Sequence, residues 1–174
     1  MEKKRINIIP PPSVMAERDE VLAKAYKDLI FFGRVFLPQD FLHKSESPQF
    51  HYDLSKKLIA HQPGARICNI IPRGMGKSIL SKAAIMHKFL FAETDKQNFV
   101  AWVSEEQGQS VDHLKYIRHH FEENEMIRYY FGNMDGGSVG KRWTEKDIVT
   151  PKGDRIIAKG SAQRLRGRAE VGVR

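Results

Sequence analysis

Apolar positions along this chain alternate between a helical and an extended rhythm, and the changes of rhythm mark out its elements. From Val14 to Phe36, Val21, Leu22, Ala25, Leu29, Phe32 and Phe36 recur near the 3.6-residue spacing of a helix, with Pro38 as its stop. Ahead of it, Pro10-Pro11-Pro12 predicts an extended arm over residues 1–13, because proline rings favour polyproline II. Ser47-Pro48 predicts a helix start, serine as N-cap and proline at the first helical position, running to about Ala60. Gln62-Pro63-Gly64 breaks the chain. The apolar run Ile67 to Ile71 predicts a buried strand, and Ile79 to Phe91 a helix.

Asn98 to Val103 reads as a second buried strand, and Ser104-Glu105-Glu106-Gln107 as a capping box with Gln107 at N3. The helix it opens carries Val111, Leu114, Ile117, His120 and Phe121 on one face and fades near Asn124. A helical turn (Met126 to Phe131) and a loop from Gly132 to Gly140 come next. Two strands then flank a Pro151-Lys152-Gly153 turn, Arg142 to Val149 and Arg155 to Ala158. Strand–helix–strand–helix order predicts a three-layer α/β domain with parallel strands. No internal repeat is present.

Composition narrows the class. A chain of 174 residues with 41% hydrophobic content forms one domain with a real core. No apolar run approaches the roughly 18–20 residues that span a bilayer. Lys3, Lys4 and Arg5 resemble the start of a signal peptide, but the three prolines interrupt the segment where its apolar stretch would lie. The single cysteine, Cys68, falls in the first predicted strand, where it reads as small core filler. One cysteine excludes an internal disulfide or a cysteine-based zinc cluster and suits a reducing cytosol. The net charge of +8 is concentrated at one end, with +5 over residues 150–174. Such an end is either a nucleic-acid contact or a solvated tail.

The candidate chemistry lies at Ile70-Ile71-Pro72-Arg73-Gly74-Met75-Gly76-Lys77-Ser78. Strand, glycine-rich turn and helix form the context of a phosphate-binding loop of the Walker A type, with Gly76-Lys77-Ser78 as its core. Backbone amides between Pro72 and Ser78 would wrap a polyphosphate, with the positive end of the helix dipole behind it. Gly74 and Gly76 permit the torsions and close approach this needs. Lys77 would reach the β- and γ-phosphates of ATP, and the Ser78 hydroxyl would help hold Mg²⁺. The usual pattern has a glycine five residues before Gly76; here that position is Ile71. Arg73, three positions before Gly76, is placed to stabilise γ-phosphate charge as an arginine finger does. The plainer reading is a surface arginine paired with an acidic neighbour.

One helix upstream, Phe50, His51 and Tyr52 offer aromatic faces to an adenine or serve as helix-face core, and Gln49 could read the adenine edge. The seven histidines show no metal-ligand spacing, and His119-His120 read as structural or solvated. Glu105, Glu106, Glu122 and Glu123 read as helix ends. An ATPase of this type also needs an apolar strand ending in an acidic Mg²⁺ ligand. After Ser78 no run of four apolar residues ends in Asp or Glu; Lys146-Asp147-Ile148-Val149 has the wrong order.

Taken in order, these segments resemble the large terminase subunits of tailed bacteriophages, the ATP-driven motors that package DNA into capsids. Ile71 with Arg73 matches the deviant phosphate loop of that family. Trp102-Val103-Ser104 and its following helix resemble the second nucleotide-domain motif. Gly160-Ser161-Ala162-Gln163-Arg164-Leu165-Arg166-Gly167-Arg168 resembles the segment that precedes the acidic strand. The resemblance spans roughly residues 50–174. It implies a P-loop NTPase-type three-layer domain with a mostly parallel sheet, incomplete at its C-terminal end. Residues 1–47 would be an N-terminal arm and helix, and residues 48–174 the first part of the ATPase domain. The acidic strand and a nuclease domain would come after Arg174, so residues 1–174 alone would bind nucleotide weakly and turn over little.

By the same resemblance, Arg73 and Lys77 are the catalytic candidates. Pro72 to Ser78, with Gln49 and Phe50, would hold ATP, and Ser78 would hold Mg²⁺. Arg164, Arg166 and Arg168 would lie near double-stranded DNA. A small terminase subunit, a portal and further copies of the chain would be its partners, in the cytoplasm of an infected bacterial host and not in a membrane. Two other readings stay open: a helicase-like nucleic-acid-dependent ATPase, and a non-catalytic nucleic-acid-binding or assembly module with a relic loop.

Overall fold

The computed structural model describes residues 12–41, 46–60, 66–93 and 97–163. Most of the predicted residues 1–13 arm, the break at residues 62–64, and Arg164, Arg166 and Arg168 lie outside them. The chain is a mixed helix–strand fold. Seven α-helices are described: α1 Pro12–Lys27, α2 Leu29–Phe36, α3 Pro38–Phe41, α4 Gln49–Ile59, α5 Lys77–Leu90, α6 Gln107–Glu123 and α7 Glu125–Phe131. Strands β1 Phe99–Ser104, β2 Asp147–Val149 and β3 Arg155–Gly160 form one sheet in the order β1-β3-β2.

Local chemistry divides the first predicted helix in two. Asp28 leaves the helical region (φ −131°, ψ 107°), and its Oδ1 accepts from the Ile30 and Phe31 amides at 2.8 and 3.1 Å. A short acidic side chain bonding its own backbone competes with the α1 ladder and caps α2 instead. Helix α2 stops ahead of Pro38, as predicted, and Pro38 then begins α3. The break falls on Leu37 (φ −130°, ψ 51°), because the residue before a proline is pushed out of the helical region. The next predicted start is also corrected: Pro48 is extended (ψ 154°), α4 begins at Gln49, and Ser47 caps nothing.

Helix α2 is buried on most sides by Leu29, Ile30, Phe32, Gly33 and Phe36, and it packs against α1, α3, α4 and α5. At Gly33 an added Cβ would fall 2.4 Å from the Phe41 ring, so α3 folds this closely only over glycine. Helix α6 lies on β1 and β3, burying Val111, Leu114, Ile117 and Phe121 as its periodicity predicts. The capping box does not form. Glu106 is the N-cap without a side-chain bond, and Gln107 becomes the first helical residue. The Gln107 amide is spent elsewhere, its Oε1 accepting from Gln163 Nε2 at 3.1 Å.

The sheet is mixed rather than mostly parallel. β1 and β3 pair in parallel from Phe99↔Arg155 to Ser104↔Gly160, while β2 returns antiparallel to β3. Asp154 ties the strand starts together, its Oδ1 accepting from Asn98 N at 2.7 Å and Asn98 Nδ2 at 2.8 Å. The hairpin is as predicted, but its first strand is the short Asp147–Val149, after a single bridge between Trp143 and Ile148. β3 is buried along nearly its whole length, whereas β1 is half open, with Phe99 and Val103 exposed at the sheet's outer edge.

The strand predicted at Ile67 to Ile71 is absent. Residues 66–72 join no sheet, Ile70 is 94% exposed, and Cys68 is exposed rather than core filler. A buried strand needs neighbours for both its backbone edges and its faces. Among the described residues, none pairs with this run.

Candidate functional site

The loop enters α5 through two left-handed glycines. Gly74 has φ +80° and Gly76 φ +71°, a region that side chains with a Cβ rarely enter. Gly76 is the N-cap of α5, so no side chain occupies the helix start, and the first turn carries no acidic residue. The orphan amides and positive dipole end of a fourteen-residue helix therefore lie at this loop with no side-chain cap and no acidic residue in the first turn. Lys77 folds back: its Nζ donates to the carbonyl of Ile71 and, at 2.8 Å, to that of Pro72. Occupying carbonyls at the loop entrance with an ammonium closes the loop on itself and sets a full positive charge within it. The chemistry of such a hollow is that of an anion receptor.

Of the predicted site residues, Pro72, Arg73, Gly74, Met75 and Ser78 are exposed along this loop, and Gly76 and Lys77 are half-buried. Gln49 Nε2 donates to Asp53 Oδ1 at 3.1 Å, one turn along α4. Phe50 packs against His51, ring centroids 4.4 Å apart. The residue that α4 does bring to the loop is His51, whose Nε2 lies 3.0 Å from the Met75 carbonyl oxygen. This contact has no sequence signal beyond an aromatic in the first turn of the preceding helix.

A cleft of about 210 Å³ opens beside Gly76, lined by Gln39, Asp40, Ser47, His51, Ile79 and Leu80 among others. Asp40 connects it to a polar cluster behind the loop helix that the sequence did not disclose. The Tyr116 hydroxyl donates to Asp40 Oδ2, and the buried Lys82 holds its Nζ 3.6 Å from the Tyr116 ring centroid. Burial lowers the Lys82 pKa, with Asp40 opposing the shift. Burial also raises the Tyr116 pKa, reinforced by its bond to Asp40. His120 is held down to about 4, by burial first and by neighbouring His119 second. These groups join α3, α5 and α6 through a cation–π contact and a charge-assisted bond.

A second junction gathers the other two segments that carry the resemblance. Ser161 N donates to the Ser104 carbonyl at 2.8 Å, and Ser110 Oγ to the Lys159 carbonyl at 2.6 Å. The ends of β1 and β3 thus meet the start of α6. Among the described residues no cluster of His, Cys, Asp and Glu forms a metal site, and no helix is long and apolar enough to cross a membrane. A scan against family models matched none, and neither curated proteins nor solved structures gave a match.

Proposed function

We propose that this chain binds ATP through the loop from Pro72 to Ser78, as part of a terminase-like ATPase that moves double-stranded DNA. The observation that carries the nucleotide reading is the loop itself. Two left-handed glycines lead into an uncapped helix start, and Lys77 closes the loop from within. A purely structural turn would need the glycines but neither that lysine nor that helix start. In this reading the amides of the loop cradle the β-phosphate and Lys77 exchanges its carbonyl partners for phosphate oxygens. Arg73, exposed at the turn, meets the γ-phosphate. The nucleobase lies toward the cleft that runs from Gly76 to Asp40.

The exposed Ser78 hydroxyl, in the first turn of α5, is a hard oxygen donor that would hold the Mg²⁺ accompanying ATP. Mg²⁺ commonly keeps several waters and takes phosphate oxygens alongside few protein ligands. When bound it would neutralise phosphate charge. The proposed DNA-packaging role rests on the ordered resemblance of the loop, the β1–α6 junction and the β3 end, together with the basic residues after 150.

Calorimetry with a slowly hydrolysed ATP analogue tests the loop. Binding to the wild-type chain that disappears in Lys77→Ala is the expected result. Equal binding by both would make the loop ornamental. Salt-dependent duplex binding indifferent to nucleotide would then favour an assembly module.

A further inference from the structure

The His51 contact assigns a role that adenine stacking does not describe. A carbonyl oxygen can only accept, so at 3.0 Å from Met75 O the His51 Nε2 must carry the proton. The Met75–Gly76 peptide is trans, since no peptide bond among the described residues is cis. In a planar trans peptide the C=O and the following N–H point to opposite sides. Drawing the Met75 carbonyl toward α4 therefore turns the Gly76 N–H away from α4. The ring also sits where a side chain at Gly76 would be: an added Cβ would lie 3.3 Å from Nε2. The histidine is itself held in the first turn of α4, its backbone N–H donating to Pro48 O at 2.9 Å.

We infer that His51 is a positioning residue for polyphosphate: it locks the Met75–Gly76 peptide so that the Gly76 amide donates to a phosphate oxygen. This rests on the nucleotide-binding reading and specifies which part of the nucleotide feels the histidine. Because the donor is committed to the loop, its effect falls on the phosphate chain and not on the base. Inorganic tripolyphosphate, which has no base, should report it as fully as an ATP analogue does.

The test is calorimetric titration of the full chain with tripolyphosphate and with the ATP analogue, for wild type, His51→Ala, His51→Phe and His51→Gln. Thermal unfolding of each variant checks its fold. Losing one hydrogen bond is expected to weaken both ligands about five- to tenfold in the Ala and Phe variants. Glutamine, whose amide nitrogen can replace Nε2 as donor, should restore most of the affinity. Should His51→Ala bind tripolyphosphate like wild type, the positioning role fails while the nucleotide reading stands. Failure of glutamine to rescue, with phenylalanine binding well, would assign the effect to ring packing and overturn the hydrogen-bond role. If the wild type binds neither ligand, both readings fall together. If His51→Ala does not fold, the Phe and Gln variants decide.

Discussion

At Gly76 one backbone angle carries most of the loop's meaning. A residue with a Cβ at φ +71° would sit in the left-handed region and press on the His51 ring. Gly76→Ala is expected to cost about 1–2 kcal/mol of stability from the backbone alone. It should also lose tripolyphosphate binding, since relief of the strain reorients the amide; thermal unfolding and calorimetry on one preparation would check both. Sequence reading expected Gly76 to supply an unusual backbone torsion, and its left-handed φ agrees, because the Gly-Lys-Ser spacing encodes local backbone geometry. It missed what His51 does, since a contact over 24 residues depends on where α4 lands. Gln49 shows the converse: its type suited an adenine edge, yet a partner one turn away, Asp53, takes its amide.

Among the elements, those legible from pattern are the ones whose burial is settled by their own periodicity. Helix α6 presents Val111, Leu114, Ile117 and Phe121 inward as read, and the β2–β3 hairpin arises from its turn residues. Boundaries set by side-chain competition were harder to read. Asp28 is one such case, and Asp28→Ala is expected to destabilise the fold by about 1 kcal/mol by uncapping α2. Urea unfolding would measure it; no change would mean that the two bonds to Ile30 and Phe31 are matched by water. The hairpin also contains a buried ion pair. Arg155 donates through Nε to Asp147 Oδ1 at 2.9 Å and through Nη2 to Oδ2 at 2.8 Å, with Arg142 adding a third contact. Removing the carboxylate takes an ion pair and two hydrogen bonds from a buried guanidinium, so Asp147→Ala should cost about 3 kcal/mol, read from the same urea midpoints. A loss below the cost of an ordinary surface substitution would show that the pair is dispensable.

At the scale of the whole molecule, three histidines among the described residues contribute to the response to acid. His87, His113 and His120 all have pKa values lowered chiefly by burial, His120 to about 4 against the ordinary 6.5. Between these values the unfolded chain binds more protons than the folded one. Their contribution is therefore fully present above about pH 6.5 and is lost as pH falls toward 4. The unfolding midpoint should drop between pH 7.5 and pH 5, and a flat profile would contradict these environments. Charge at this scale is uneven in the sequence: Arg155 of the basic end pairs with Asp147 and Lys152 donates to the Leu90 carbonyl, while Arg164, Arg166, Arg168 and Arg174 lie outside the described residues.

The sequence by itself determined the features that depend on a few neighbouring residues: the glycine turn into α5, the helical face of α6, and the turn between β2 and β3. Only tertiary structure decided the rest. Among the described residues the apolar run at residues 67–71 has no strand to pair with and is largely exposed, because burial of a strand is a property of its neighbours. The Asp40–Tyr116–Lys82 cluster and the grip of His51 on Met75 arise where separate helices converge. Local geometry can be written in adjacent residues; the partner of a carbonyl or an ammonium is chosen by packing.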